Sequence, residues 1–160
     1  MSAEYYDYRS FKYLTKHAMT FILPMRLPCV VQDHPTDPDV ILTPLSSNAV
    51  RLWIAAGYPW DGPSGPMPDT PPSMVPSAIH DAGYELLRCG ALAPSYRKQV
   101  DKWFYESLVA TGYPRGLAKI AYAGLRLFAG GAAKRTKTVD ARFKTYPLIM
   151  PPSNVIGVKI

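Results

Sequence analysis

Cysteine and long apolar runs are scarce in this chain of 160 residues. Its two cysteines, Cys29 and Cys89, have no second pair with which to build a disulfide framework or a metal knuckle, so we expect free, buried thiols in a reducing compartment. No stretch approaches the roughly 20 apolar residues of a membrane span. The N-terminus, from Met1 to Asp7, also lacks the basic-then-apolar order of a secretory signal. We therefore expect a soluble cytoplasmic product.

Charged residues make up only 19% of the chain and hydrophobic residues 48%, which is typical of a globular protein. The 17 prolines gather in segments that we predict to be loops. The length fits a single domain over residues 1–160. A net charge of +6 favours an anionic partner, such as a phospholipid surface or an acidic protein. Nucleic acid is disfavoured because the basic residues are dispersed and no recognised binding motif occurs.

The first part of the chain has the short apolar runs of β-strands. Between residues 11 and 56 these runs are separated by clusters of Pro, Asp and Asn, which predicts a small antiparallel sheet. Residues 57–70 are rich in proline and glycine. A segment of this length without regular structure in a compact domain is usually functional or disordered. We predict an ordered, functional loop here.

Three helices are predicted in the second part, over residues 76–129. They run over about 76–88, 95–111 and 114–129, and each is ended by glycine. The third is predicted to bury five apolar residues, namely Leu117, Ile120, Ala121, Leu125 and Phe128. Residues 132–160 lack a strong period and are predicted to form an irregular tail. The predicted fold class is therefore α+β, a small N-terminal antiparallel sheet followed by three helices.

Polar residues of the first two helices have a spacing that brings them together. His80 and Asp81 lie four and three residues before Tyr84, so one helix face carries an imidazole, a carboxylate and a phenol. Asp101 lies within the apolar stripe of the second helix, where an unpaired charge would be costly. The short link between the helices predicts antiparallel neighbours and places His80 opposite Asp101. The Tyr84 hydroxyl is expected to bond Asp81 or Asp101.

This arrangement predicts a metal-assisted hydrolase. A histidine held by a carboxylate at one ring nitrogen can act as general base through the other nitrogen, and we expect Asp101 to orient His80 in this way. Asp81, about 100° further round the helix, is free to bind a hard cation together with carbonyl groups of the loop at 57–70. Asp61 in that loop is either a second cation ligand or the polar corner of a turn. The cation would polarise a carbonyl group while His80 draws a proton from water.

Four segments of the chain carry a resemblance to a known family. They read WDGPS, IHDAGY, VDKWF and AYAGLRLF, at residues 60–64, 79–84, 100–104 and 121–128. In order and spacing they are similar to a family of small phage and prophage proteins catalogued as a domain of unknown function, number 1353. The match runs from about Phe11 to Phe128. The resemblance implies a protein made in the host cytoplasm that can be packaged in the virion, but it implies no activity.

The helix pair is also similar to phospholipase A2 enzymes, especially the disulfide-free parvoviral kind, in which a His-Asp-x-x-Tyr helix faces an Asp from an antiparallel helix. This resemblance implies that His80 is the catalytic base, Asp81 a calcium ligand, Tyr84 a supporting phenol and Asp101 the carboxylate that orients the histidine. Residues 61–65 stand where those enzymes have a glycine-rich calcium loop. The resemblance therefore implies Asp61 and Gly62 as further parts of a calcium site.

The sequence leaves three functional hypotheses open. The first is a calcium-dependent lipid ester hydrolase of phospholipase A2 type that acts when a phage enters or lyses a cell. The second is a non-enzymatic phage virion or assembly protein, in which the His, Asp and Tyr cluster is a structural network and the proline-rich loops order against phage structural proteins. The third is peptidoglycan or amide hydrolysis with a transition metal, for which a single histidine makes a poor zinc set. The oligomeric state stays open.

Overall fold

The structure, a computed structural model, describes residues 11–63 and 67–134 and the backbone of residues 158–159. Along the chain the strands are β1 (Tyr13–Leu14), β2 (Met19–Pro24), β3 (Val31–Gln32), β4 (Val40–Ser46), β5 (Ala49–Ile54), β6 (Pro59–Trp60) and β7 (Val158–Lys159). The helices are α1 (Pro71–Arg88), α2 (Arg97–Ala110) and α3 (Arg115–Phe128), with a single 3-10 turn at Pro94–Tyr96 before α2. The predicted α+β class is confirmed.

The main sheet has the strand order β3-β4-β5-β2-β7. Its first four strands pair antiparallel, which confirms the predicted N-terminal sheet, and β7 pairs with β2 in parallel. Because side chains alternate along a strand, large residues such as Leu23 and Leu52 fall on one buried face. The segment predicted as a loop, residues 57–70, contains β6, which pairs with β1 in a separate two-stranded ladder.

Helix α1 begins at Pro71 rather than near Pro76, and it runs through Pro76 without ending. A proline inside a helix has no N–H for the carbonyl group four residues before it, which here belongs to Pro72. The Thr111 hydroxyl, just after α2, lies 2.6 Å from this carbonyl oxygen and 2.9 and 3.0 Å from those of Ser107 and Leu108. Its single proton is assigned to the shortest of the three contacts, which supplies the missing hydrogen bond. The helix therefore includes a turn that a rule based on the local sequence leaves out.

Helices α1 and α2 lie antiparallel and close together. The start of α1 meets the end of α2 at Pro72 and Thr111, and a later turn of α1 meets the start of α2 at Gly83 and Val100. A Cβ on Gly83 would lie 2.5 Å from Cγ1 of Val100, so a glycine is needed for this approach. The predicted helix pair is confirmed, and Gly83 sets the separation across which the candidate site is built.

Helix α3 packs on α2 with a narrow inner face. Ala118 is buried, and it forms a small cluster with Phe104 and Leu108 of α2. Ala121 and Leu125 are half-buried and pack against the same cluster. This cluster is separate from the main core, which lies between the sheet and the first two helices.

The outer face of α3 departs from the prediction. Burial was predicted for Leu117, Ile120 and Phe128, but all three side chains are exposed, so that prediction is wrong. Apolar residues occur nearly all round this helix, and periodicity therefore cannot identify which side is buried. Among the residues that the structure describes, no helix is long and apolar enough to cross a membrane.

The two cysteines are free thiols, as predicted. Their predicted burial is wrong for Cys29, which is exposed, while Cys89 is half-buried at the end of α1. Burial raises the pKa of the Cys89 thiol, so it is protonated at neutral pH.

Candidate active site

The centre of the candidate site is a buried pair, His80 on α1 and Asp101 on α2. Nε2 of His80 lies 3.2 Å from Oδ1 of Asp101. The exposed fraction is 7% for His80 and 0% for Asp101. The structure thus brings together the two residues that helix spacing places opposite each other, across the close helix contact at Gly83.

Tyr84 joins this pair from one turn further along α1. Its hydroxyl donates to Oδ1 of Asp101 at 2.7 Å, and its ring centroid lies 4.2 Å from that of His80. Of the two partners predicted for this hydroxyl, Asp101 is therefore the one that it bonds. Burial raises the pKa of Tyr84 to about 12, with Arg97 lowering it and Asp101 raising it further. The phenol is protonated at neutral pH and acts as a hydrogen-bond donor.

Two arginines outside the predicted site hold the second oxygen of Asp101. Nη1 of Arg126, on α3, donates to Oδ2 at 2.6 Å. Nε of Arg97, on α2, lies 3.7 Å from the same oxygen and donates to the Tyr84 hydroxyl at 3.3 Å. Arg97 comes four residues before Asp101, a spacing that itself predicts an ion pair. For Arg126 the only signal is that a buried carboxylate needs charged donors.

These contacts determine the protonation states of Asp101 and His80. Burial by itself raises the pKa of Asp101, but hydrogen bonds from His80, Arg126 and Tyr84 outweigh it and hold the pKa of Asp101 below its usual range. Burial likewise lowers the pKa of His80, but the contacts with Asp101 and Asp81 outweigh burial, and the pKa of His80 is raised. Asp101 is therefore an anion throughout the pH range in which His80 titrates.

Asp81 lies near the other ring nitrogen of His80. Its Oδ1 is 3.8 Å from Nδ1, and its side chain is 25% exposed. The carboxylates of Asp81 and Glu85 also act on Tyr58, whose pKa is raised well above its usual value, first by burial and then by these two charges. Asp81 thus occupies a negative edge of the site, within reach of solvent and next to the ring nitrogen that Asp101 does not hold.

The loop predicted to supply calcium ligands is attached to α1 beside the site. The indole N–H of Trp60 donates to the Ser77 hydroxyl at 3.1 Å, one helical turn before His80. Gly62 follows with a φ of 77°, and it packs on Tyr13 so closely that a Cβ would lie 2.7 Å from Cε2 of that ring. Asp61, between these two anchored residues, is exposed.

The donors predicted for calcium are oxygen atoms of Asp81 and of the loop at 57–70. Calcium takes about six to eight oxygen ligands, and backbone carbonyl groups can supply several of them. Within residues 11–63 and 67–134, no group of three His, Cys, Asp or Glu side chains is placed to hold a metal ion. These donors are the carboxylates of Asp81 and Asp61 and the carbonyl groups of residues 57–63, of which that of Tyr58 already accepts from the backbone N–H of Thr15 at 3.0 Å. Residues 64–66 lie outside the described residues. All of these donors are hard oxygens, which suits calcium and not zinc.

In comparisons with known proteins, the chain matches no family model, no curated protein and no solved structure. The resemblances to the phage protein family and to phospholipase A2 therefore stay predictions.

Proposed function

We propose that this protein is a phage or prophage esterase of phospholipase A2 type, which hydrolyses lipid esters with calcium when a phage enters or lyses a cell. The observation that carries the proposal is the asymmetric setting of the His80 ring. Nε2 bonds to the buried carboxylate of Asp101 at 3.2 Å, and Nδ1 lies 3.8 Å from the partly exposed Asp81. One ring nitrogen is fixed, and the other is left for chemistry.

Asp101 selects the tautomer of His80 that the reaction needs. When His80 is neutral, Nε2 carries the proton that is donated to Asp101, so the lone pair on Nδ1 is the base. Nδ1 takes a proton from water, whose oxygen forms a bond to the ester carbonyl carbon. The ester C–O bond then breaks, and the leaving alkoxide takes that proton from Nδ1. Asp101 stabilises the imidazolium between the two transfers.

Tyr84 and Arg126 act through Asp101 as positioning residues. They donate to its two oxygens, Oδ1 and Oδ2, at 2.7 and 2.6 Å, so the carboxylate cannot rotate away from His80. Asp81 and carbonyl groups of the loop, Gly62 among them, would hold calcium, with Asp61 as a second carboxylate. A bound calcium ion would polarise the ester carbonyl and stabilise its developing negative charge.

Release of fatty acid from phosphatidylglycerol vesicles tests the proposal. His80→Gln keeps a side-chain N–H that can donate to Asp101 but removes the base, and we expect the rate to fall about 100-fold or more. A calcium chelator should abolish release by the wild type. His17→Gln makes the same replacement at an exposed histidine and should leave the rate unchanged. Undiminished release in His80→Gln, or release that ignores the chelator, would contradict the proposal.

A second candidate function is favoured by the donors around Asp101. This residue of α2 accepts hydrogen bonds from His80 and Tyr84 on α1 and from Arg126 on α3, so it ties three helices together. Such a network suits a non-enzymatic virion or assembly protein that binds phage structural proteins. The wild type would then release no fatty acid, and His80→Ala would clearly lower the free energy of unfolding. Both quantities should be measured on the same samples.

A further inference from the structure

The outer face of α3 carries four of the six large hydrophobic residues that are exposed in the described part of the chain. The exposed fractions of Leu117, Ile120, Leu127 and Phe128 are 52%, 69%, 76% and 84%. With Gly124 between them, these residues recur at intervals of three and four and share one face of the helix. We call these five residues the apolar stripe.

The apolar stripe takes no part in holding α3 to the described fold. The opposite face of α3 does this, with Ala118 packed in the cluster of Phe104 and Leu108. Arg126 adds its ion pair with Asp101, which fixes the rotation of the helix about its axis. An exposed apolar patch on an otherwise well-packed helix is the usual mark of an interaction surface or a membrane surface.

The charged residues in and just after α3 indicate which kind of partner the apolar stripe can bind. No acidic residue occurs between Glu106 and Asp140, whereas six basic residues do, namely Arg115, Lys119, Arg126, Lys134, Arg135 and Lys137. This segment accounts for the whole net charge of +6, because the rest of the chain has as many acidic as basic residues. Arg126 is engaged with Asp101, but Arg115 and Lys119 are exposed on α3, and Lys134 is exposed just beyond it.

We propose that α3 docks the protein on an anionic lipid surface. The apolar stripe enters the boundary between headgroups and acyl chains, and the exposed Lys119 and Lys134 lie near the lipid phosphates. With 14 residues, α3 is too short to span a bilayer and lies in the plane of its surface. Docking breaks no bond, so this inference goes beyond the proposed hydrolysis and does not depend on it.

Charge also argues against two other occupants, a second copy of the chain and residues 135–157. A second copy would bring two basic, acid-free helices together, and like charges at an interface repel. Residues 135–157 hold four basic residues and a single acidic one, so they do not complement α3 either. An anionic bilayer offers both an apolar interior and negative headgroups, which match the two parts of this surface.

Flotation of the full chain with vesicles, in the presence of a chelator, measures docking without hydrolysis. We expect the wild type to bind vesicles of phosphatidylglycerol and phosphatidylcholine about tenfold more tightly than phosphatidylcholine alone, with less difference at high salt. Ile120→Asp and Phe128→Asp should each weaken binding about tenfold or more. Val30→Asp makes the same charge change at an exposed apolar residue outside α3, and it should bind within about twofold of the wild type.

Two controls separate loss of docking from loss of folding and from loss of catalysis. The substituted side chains are exposed, so each variant should melt at the wild-type temperature. His80→Gln should bind vesicles like the wild type, which separates failure of docking from failure of catalysis. If Val30→Asp and Ile120→Asp weakened vesicle binding equally, net charge alone would explain the loss, and the proposal would be overturned.

If the wild type does not bind vesicles, the proposal is wrong, and analytical ultracentrifugation then tests what else covers the stripe. A concentration-dependent dimer in analytical ultracentrifugation, dissociated by Ile120→Asp, would assign the stripe to a second copy. A monomer that does not bind vesicles would leave the stripe to another occupant, such as a segment of the same chain.

Discussion

Replacing Gly83 by Ala tests whether the separation of α1 and α2 is set by the missing side chain. The new Cβ would lie 2.5 Å from Cγ1 and 3.1 Å from Cγ2 of Val100. Val100 is fully buried and β-branched, so rotation of its side chain only exchanges one close methyl group for another. The two helices must therefore move apart to accept the extra carbon.

Two opposing effects decide the size of the change. Alanine in place of glycine inside a helix stabilises by about 1 kcal/mol where there is room. Overpacking a buried contact costs about 1 to 3 kcal/mol, and a 2.5 Å contact belongs at the upper end. We therefore expect Gly83→Ala to lower the free energy of unfolding by about 1 to 2 kcal/mol. Gly124→Ala is the matched control, because nothing lies within 4 Å of its Cβ, and it should stabilise by up to about 1 kcal/mol.

Urea unfolding followed by circular dichroism gives these free energies. Val100→Ala removes both clashing methyl groups, so the double variant with Gly83→Ala should be more stable than the sum of the single effects, by about 1 to 2 kcal/mol. The reasoning is refuted if Gly83→Ala is as stable as Gly124→Ala, or if the two changes at Gly83 and Val100 simply add.

Three further predictions concern charge, and urea unfolding measures each of them. Arg126→Met should lower the free energy of unfolding by about 2 to 3 kcal/mol because the fully buried Asp101 loses a charged donor; Arg115→Met, at an exposed site of α3, should change it by about 0.5 kcal/mol or less. Burial raises the pKa of Asp33 to about 6, so Asp33→Asn should stabilise the protein at pH 8 by up to about 3 kcal/mol and much less at pH 4. The pKa of His80 is raised, so the stability from its protonated form is complete below 6.5 and is lost as pH rises through the folded-state pKa. The difference between wild type and His80→Gln should therefore narrow as pH rises from 6.5 through that pKa, and a difference that widens over this range would contradict the assignment.

The helix pair and the centre of the site could be predicted because they depend on residues close together in sequence. His80 and Tyr84 share a face through the helical period alone. Asp101 could be assigned a partner because a carboxylate on the buried, apolar face of a helix is costly unless it is paired. The short link between the helices then left one arrangement in which His80 and Asp101 meet.

Contacts made by residues far apart in the chain could not be predicted in this way. No spacing rule links Arg126 with Asp101, since they are on different helices and 25 residues apart. The start of α1 was misplaced because the rule that proline begins a helix considers only local backbone geometry. The buried side of α3 was misassigned because small residues such as Ala118 allow close packing, whereas Leu117 and Ile120, which are more hydrophobic, stay outside.

The hydroxyl of Thr111 makes α1 dependent on α2 for its own length. The first turns of α1 lack one rung of their hydrogen-bond ladder until a residue 39 positions later in the chain is in place. As an isolated segment, α1 would therefore fray at its N-terminal end, where prolines already reduce the number of backbone hydrogen bonds. The two helices should unfold locally as one cooperative unit. The imidazole of His80, which lies between them, is therefore held in place for as long as the unit stays folded.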